Sequence, residues 1–127
     1  MDNSKVRKLF QGKLMITPVV LLACLCLSGC QNNQQAIEDQ QAFRQVGINK
    51  MNEGDYAGAV DAFQKALDKS QAVIGELELD ICYYKATAQY NNDDAKGAIS
   101  TCDALIDYDK KDAKAYFIRG CVYLKEG

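Results

Sequence analysis

Two stretches decide the fold. Residues 40–73 read QQAFRQVGINKMNEGDYAGAVDAFQKALDKSQAV, and residues 79–112 read LDICYYKATAQYNNDDAKGAISTCDALIDYDKKD. Laid one over the other, Gly54-Asp55-Tyr56, Ala59-Val60 and Phe63…Ala66-Leu67 fall on Asp93-Asp94-Ala95, Ala98-Ile99 and Cys102…Leu105-Ile106. The small residue heading each unit, Gly47 or Ala86, stands 12 positions before the inner Ala, Ala59 or Ala98. A third head, Gly120, follows Ala86 by 34 residues, while Gly47 precedes Ala86 by 39, the same period with five residues inserted. Val60, Phe63 and Leu67 at i, i+3 and i+7 mark one face of a helix. Asp55 and Asp94 stand where a second helix begins and are expected as N-caps. Gly47, Ala59 and Ala66 are small where two helices of a unit cross closely, because a larger side chain there would force them apart. The pattern predicts an all-α chain of helix–turn–helix units, and sustained heptads of a coiled coil are absent.

A 34-residue helix–turn–helix period with small residues at fixed places resembles the tetratricopeptide repeat. Repeat one, 40–73, matches with Phe43, Val46, Gly47, Ala59, Phe63 and Ala66, and departs at Lys50 and Gln71. Repeat two, 79–112, matches with Cys82, Lys85, Ala86, Ala98, Cys102 and Leu105, and departs at Gln89 and Lys110. Repeat three, 113–127, offers a first helix alone, with Tyr116, Arg119, Gly120 and Tyr123. The resemblance implies a helix–turn–helix solenoid of about two and a half repeats. It also implies a concave face, lined by the first helix of each repeat, that takes a peptide or a partner protein. By register that face carries Arg44, Ile48 and Met51, then Tyr83, Thr87, Tyr90 and Asn91, then Lys114, Phe117, Cys121 and Leu124. Aromatic residues with an Arg are the composition of interaction hot spots. A carboxylate clamp is not expected, since Ile48 stands where the family places Asn.

Upstream the character changes. Residues 1–29 carry Lys5, Arg7, Lys8 and Lys13 against Asp2, a net charge of +3, and the next charge is Glu38. Leu14 to Leu27 is apolar apart from Thr17 and Pro18, which at 14 residues is short of a bilayer span. A basic start before a short apolar run is the pattern of a secretory signal. It ends Leu27-Ser28-Gly29-Cys30, which resembles the lipobox of bacterial lipoproteins. That resemblance implies cleavage before Cys30 and a diacylglycerol, often with a further acyl group, on Cys30. Two or three acyl chains hold a protein stably at a membrane, where one does not. Cys24 and Cys26 would leave with the signal. Gln31 after the Cys leans towards an outer membrane where the source has one. Residues 30–39, with the run Gln31–Gln35, read as the lipidated Cys and a flexible polar tether.

The remaining 98 residues carry a net charge of -5, and the repeats span 88 of them. The chain has no His, which excludes Ser-His and Cys-His catalysis and any His-ligated metal. The charge gives no reason to expect nucleic acid as a partner. Cys82, Cys102 and Cys121 lie at or beside packing positions and are expected as buried hydrophobes, with a Cys82–Cys102 disulfide as the alternative. No metal-type Cys spacing occurs, and Asp107-Tyr108-Asp109 with Asp112 reads as a polar turn. No cofactor beyond the lipid on Cys30 and no enzymatic site is expected.

The last helix is apolar on more than one side, unlike the polar cap that ends a repeat array. That leads to the expectation of a piece of a longer repeat protein, or of self-association through this helix. The favoured function is a lipid-anchored scaffold on the outer side of a bacterial membrane. The alternatives are the recognition module of a longer envelope enzyme and a purely structural envelope protein. Replacing the anchor residue, Cys30→Ala, is expected to abolish acylation and move the protein out of the membrane fraction, as read by metabolic labelling with a fatty acid and by fractionation.

Overall fold

The computed structural model describes residues 18–71 and 74–127, with side chains from Asn32 onward. It is all-α: the described residues form helices α1 (Pro18–Asn52), α2 (Tyr56–Asp68), α3 (Glu76–Asn91), α4 (Ala95–Tyr108) and α5 (Ala113–Glu126), with no strand among them. The chain divides into two compact units, Met1–Gln34 and Gln35–Gly127. The whole basic start of the expected signal, and the side chains of Cys24, Cys26 and Cys30, lie outside the described residues. Among the described residues no helix is long and apolar enough to cross a membrane.

One difference from the sequence reading concerns the stretch taken as a tether. Residues 30–39 lie within α1 and are helical. Gln is a good helix former, and no Pro or Gly interrupts residues 31–46. Gln35 also reaches one turn along the same helix, its Nε2 donating to Asp39 Oδ1 at 2.8 Å.

In the second unit the turns follow the repeat. Asp55 opens α2 and accepts the Gly58 N–H at 2.9 Å, while Asp94 opens α4 and accepts the Gly97 N–H at 3.0 Å. Asp112 opens α5 in the same way, accepting the Ala115 N–H at 2.9 Å. The residue before each of the first two caps turns the chain through a left-handed conformation. It is Gly54 with φ 78° in one unit and Asp93 with φ 59° in the next. Gly takes that conformation freely, and Asp is among the few other residues that tolerate it.

Packing begins at Gly47. A Cβ on this residue would lie 2.5 Å from the Phe63 ring, so the absent side chain is what lets α1 and α2 approach. The Phe63 ring also stacks on Tyr84 of α3, with centroids 5.7 Å apart and planes at 20°. Around it Ala59, Ala66, Ile81 and Ala88 are buried, with Phe43, Val60 and Leu67 packed against them. A second cluster joins Leu105 and Ile106 of α4 to Ala115 of α5, flanked by Leu79, Cys82 and Tyr83. Helices α2 and α3, α3 and α4, and α4 and α5 are in contact, and α3 also touches α5.

Two buried glutamines stitch the elements together. Gln40 donates to Glu78 at 2.9 Å, and Glu78 in turn accepts the Gly75 N–H at the head of α3, also at 2.9 Å. Burial pushes the Glu78 carboxyl up, but hydrogen bonds from Gln40, Gly75 and Ser70 outweigh it and hold the group below its usual value. Gln89 accepts the Thr101 hydroxyl at 2.7 Å, tying α3 to α4. Gly47→Ala is expected to cost about 1–3 kcal/mol through overpacking. In the Gly47→Ala/Phe63→Leu double variant part of that cost is recovered, so the two changes add to less than their sum in urea melts of the full chain.

Candidate functional site

The residues assigned to one face by register are distributed over α1, α3 and α5. In α1, Ile48 and Met51 are half-buried and pack against the Phe63 cluster, so packing already uses part of their surface. In α3, Tyr83, Thr87, Tyr90 and Asn91 are half-buried along one side. In α5, Cys121 is half-buried, Lys114 is exposed, and Phe117 and Leu124 stand out at 72% and 84% exposure.

Three cations lie on aromatic rings across these helices. Arg44 sits 5.1 Å over the Tyr84 ring while its Nε donates to Asp80 at 2.7 Å. Lys114 sits 4.1 Å over the Tyr83 ring, and the Tyr83 hydroxyl donates to Asp112 Oδ2 at 2.6 Å. Lys125 sits 4.7 Å over Tyr90, donates to the Tyr90 carbonyl at 3.0 Å and pairs with Asp93 at 2.5 Å. Thr87 donates its hydroxyl to the Tyr83 carbonyl at 2.8 Å. The register therefore brings Tyr83 and Lys114 together. Arg44 instead joins Asp80 and Tyr84, and Lys125, which the register did not select, completes the Tyr90 end. A cation at i+35 from an aromatic is one period away plus one residue, a signal that the sequence holds but that only the packing makes readable.

The electrostatics make these groups holders of position. Burial first, and then the Asp112 carboxylate that accepts its proton, push the Tyr83 hydroxyl up to about 12. Its hydrogen-bonded pair with Asp93 raises the Lys125 ammonium further above neutrality. The three cysteines of the repeats are free thiols, so the alternative of a Cys82–Cys102 disulfide is not realised. Burial pushes the Cys82 thiol up and the Cys102 thiol up to about 11, which keeps both in the weakly nucleophilic protonated form at neutral pH. At the end of α4 Asp107 pairs with Lys110 at 2.6 Å, and in the turn that follows Asp109 accepts the Lys111 N–H at 2.9 Å and Asp112 caps α5.

A feature missed by sequence reasoning is an apolar hollow of about 370 Å³ between α2, α3 and α4. Leu67, Leu79, Cys82 and Leu105 are among its walls, and none of the residues selected by register lines it. The five residues inserted between the first two repeats, 74–78, are its trace in the sequence, and Ile74 and Glu78 from that insertion line it, with Ser70 from the end of repeat one.

No protein-family model, no curated protein and no solved structure matches the chain.

The Tyr83 hydroxyl yields a test with a definite sign. Its pKa in the folded chain lies above the ordinary value of about 10 for an unfolded tyrosine. The bonded, protonated form therefore contributes stability below pH 10, and that contribution is lost as pH rises from about 10 to about 12. Tyr83→Phe is expected to flatten the fall of stability across that window and to remove the highest phenolate step from an ultraviolet titration.

Proposed function

We propose that the chain is a lipid-anchored tetratricopeptide protein that holds a partner protein or peptide at the outer side of a bacterial membrane. The reading rests on one observation above all. In a region with a net charge of -5, cations are gathered on aromatic rings along α1, α3 and α5, at Arg44–Tyr84, Lys114–Tyr83 and Lys125–Tyr90. Aromatic and cationic groups already held in place bind a peptide with little further loss of side-chain freedom. The contact of α3 with α5, the first helices of successive repeats, supports the repeat reading, as do the caps at Asp55 and Asp94.

In this mechanism no bond is made or broken. Tyr90, Thr87 and Asn91 offer a half-exposed strip in the middle of the face, and Lys114 and Lys125 flank it. A peptide laid along the strip would meet ring faces and hydroxyl and amide groups, while the cations favour carboxylates. The lipid on Cys30 would confine the captured partner to the membrane surface.

Photo-crosslinking of the full chain in native membranes tests the proposal, with the reactive group placed at Asn91. A discrete adduct is expected, reduced about tenfold by Tyr90→Ala, the loss typical of one hot-spot side chain. It should also weaken as salt rises, because the flanking charges are exposed. Adducts of equal yield from Asn91 and from an exposed position on α2 such as Gln64 would overturn it.

A further inference from the structure

The apolar hollow of about 370 Å³ lies between α2, α3 and α4, with α1 before them and α5 after them in the chain. It is therefore not an end left bare. Protein interiors are close-packed, and a hollow of this size falls in the range of small-molecule pockets. Leu67 of α2, Leu79 and Cys82 of α3 and Leu105 of α4 make its walls apolar. Tyr108, 55% exposed, adds an aromatic ring.

Among the described residues that line the hollow, Glu78 alone is charged. Gln40 donates to one of its oxygens and the Gly75 N–H to the other, each at 2.9 Å, and Ser70 adds a further hydrogen bond. All three donors are uncharged. They hold the carboxylate ionised and in place, but they leave its charge uncompensated. Beside apolar walls, which lower the local dielectric, such a charge attracts a cation more strongly than in open solvent. The Tyr108 ring offers a second attraction, since the face of an aromatic ring draws a cation. The five inserted residues supply both Ile74 and the Glu78 carboxylate, so the space and the charge arrive together.

We propose that the hollow binds a small amphiphilic cation, an apolar body seated on Leu67, Leu79 and Leu105 with an ammonium head at Glu78. An anionic amphiphile such as a fatty acid is disfavoured, because its carboxylate would meet Glu78. A wholly apolar ligand would strip water from the Glu78 carboxylate and give it no partner in return. The site does not depend on the partner-binding reading, since none of the residues of that strip lines the hollow. Cys82 supplies a reporter. It is a half-buried free thiol in the wall, while Cys121, also half-buried and free, belongs to α5 and lies outside the lining.

The test follows alkylation of Cys82 and Cys121 by N-ethylmaleimide in the full chain, in lysates of cells that express it, read by peptide mass spectrometry. Benzyltrimethylammonium is the probe, and toluenesulfonate, of similar size and opposite charge, is its control. At roughly 10 mM, a concentration suited to so small a ligand, the cation is expected to slow alkylation of Cys82 about fivefold. Alkylation of Cys121 is expected to stay unchanged, and the anion to slow neither thiol. Glu78→Gln, which keeps the shape of the side chain and removes its charge, is expected to abolish the protection. Should that variant weaken the start of α3, Ala104→Phe fills the hollow from an exposed position on α4 and is expected to do the same. Four results would overturn the proposal: no protection of Cys82 by the cation, equal protection by the anion, equal slowing at Cys121, or protection that survives both variants.

Discussion

The ring of Phe63 is the contact on which the described architecture turns. It belongs to α2, lies against the bare backbone of Gly47 in α1 and stacks on Tyr84 in α3. Three helices are thereby joined through one side chain. Arg44 also lies over the Tyr84 ring and is tied back to α3 through Asp80. A buried aromatic of this size carries several kcal/mol of packing and hydrophobic energy. It is also specific, because only glycine at position 47 leaves the ring room.

The candidate face inherits its geometry from that packing. Once α3 is seated on α2, the side of α3 bearing Tyr83, Thr87 and Tyr90 is directed towards Lys114 and Lys125 of α5. Asp112 serves two ends at once, capping α5 with one oxygen and accepting the Tyr83 hydroxyl with the other. Cap and interhelical bond are thus the same residue, so the start of α5 and the middle of the face are set together. Asp93 links turn and face similarly, standing in the left-handed turn after α3 and pairing with Lys125.

Much of this was legible in the residues because it depends on local rules. Small residues at Gly47, Ala59 and Ala66 announced the close crossing, and acidic residues at Asp55 and Asp94 announced helix starts. The helical class and the turn positions followed from the period. What was not legible depends on which residues of different repeats meet. Arg44 was placed on the binding face by register, yet the packing gives it to Asp80 and Tyr84. Lys125 was passed over because its ring partner lies 35 residues away. The hollow near Cys82 escaped notice because an insertion shows its length in a sequence but not the space it opens. Composition misled at residues 30–39, where a polar run is as compatible with a helix as with a coil, and the described backbone is helical.

The pattern of contacts along the chain also governs how a disturbance travels. Helices α2 to α5 each meet their sequence neighbours, and α3 and α5 alone among them reach past a neighbour. An array built this way behaves as a row of coupled segments, with influence fading over one or two steps. A strain at Gly47 reaches α3 directly through Phe63, but it reaches α5 only by way of α3 and α4. The two ends of the candidate face are thus coupled only through the helices between them. On the proposed function, a partner held at the α5 end would leave α1 nearly undisturbed, and the candidate face would act as a series of semi-independent grips rather than as a single switch.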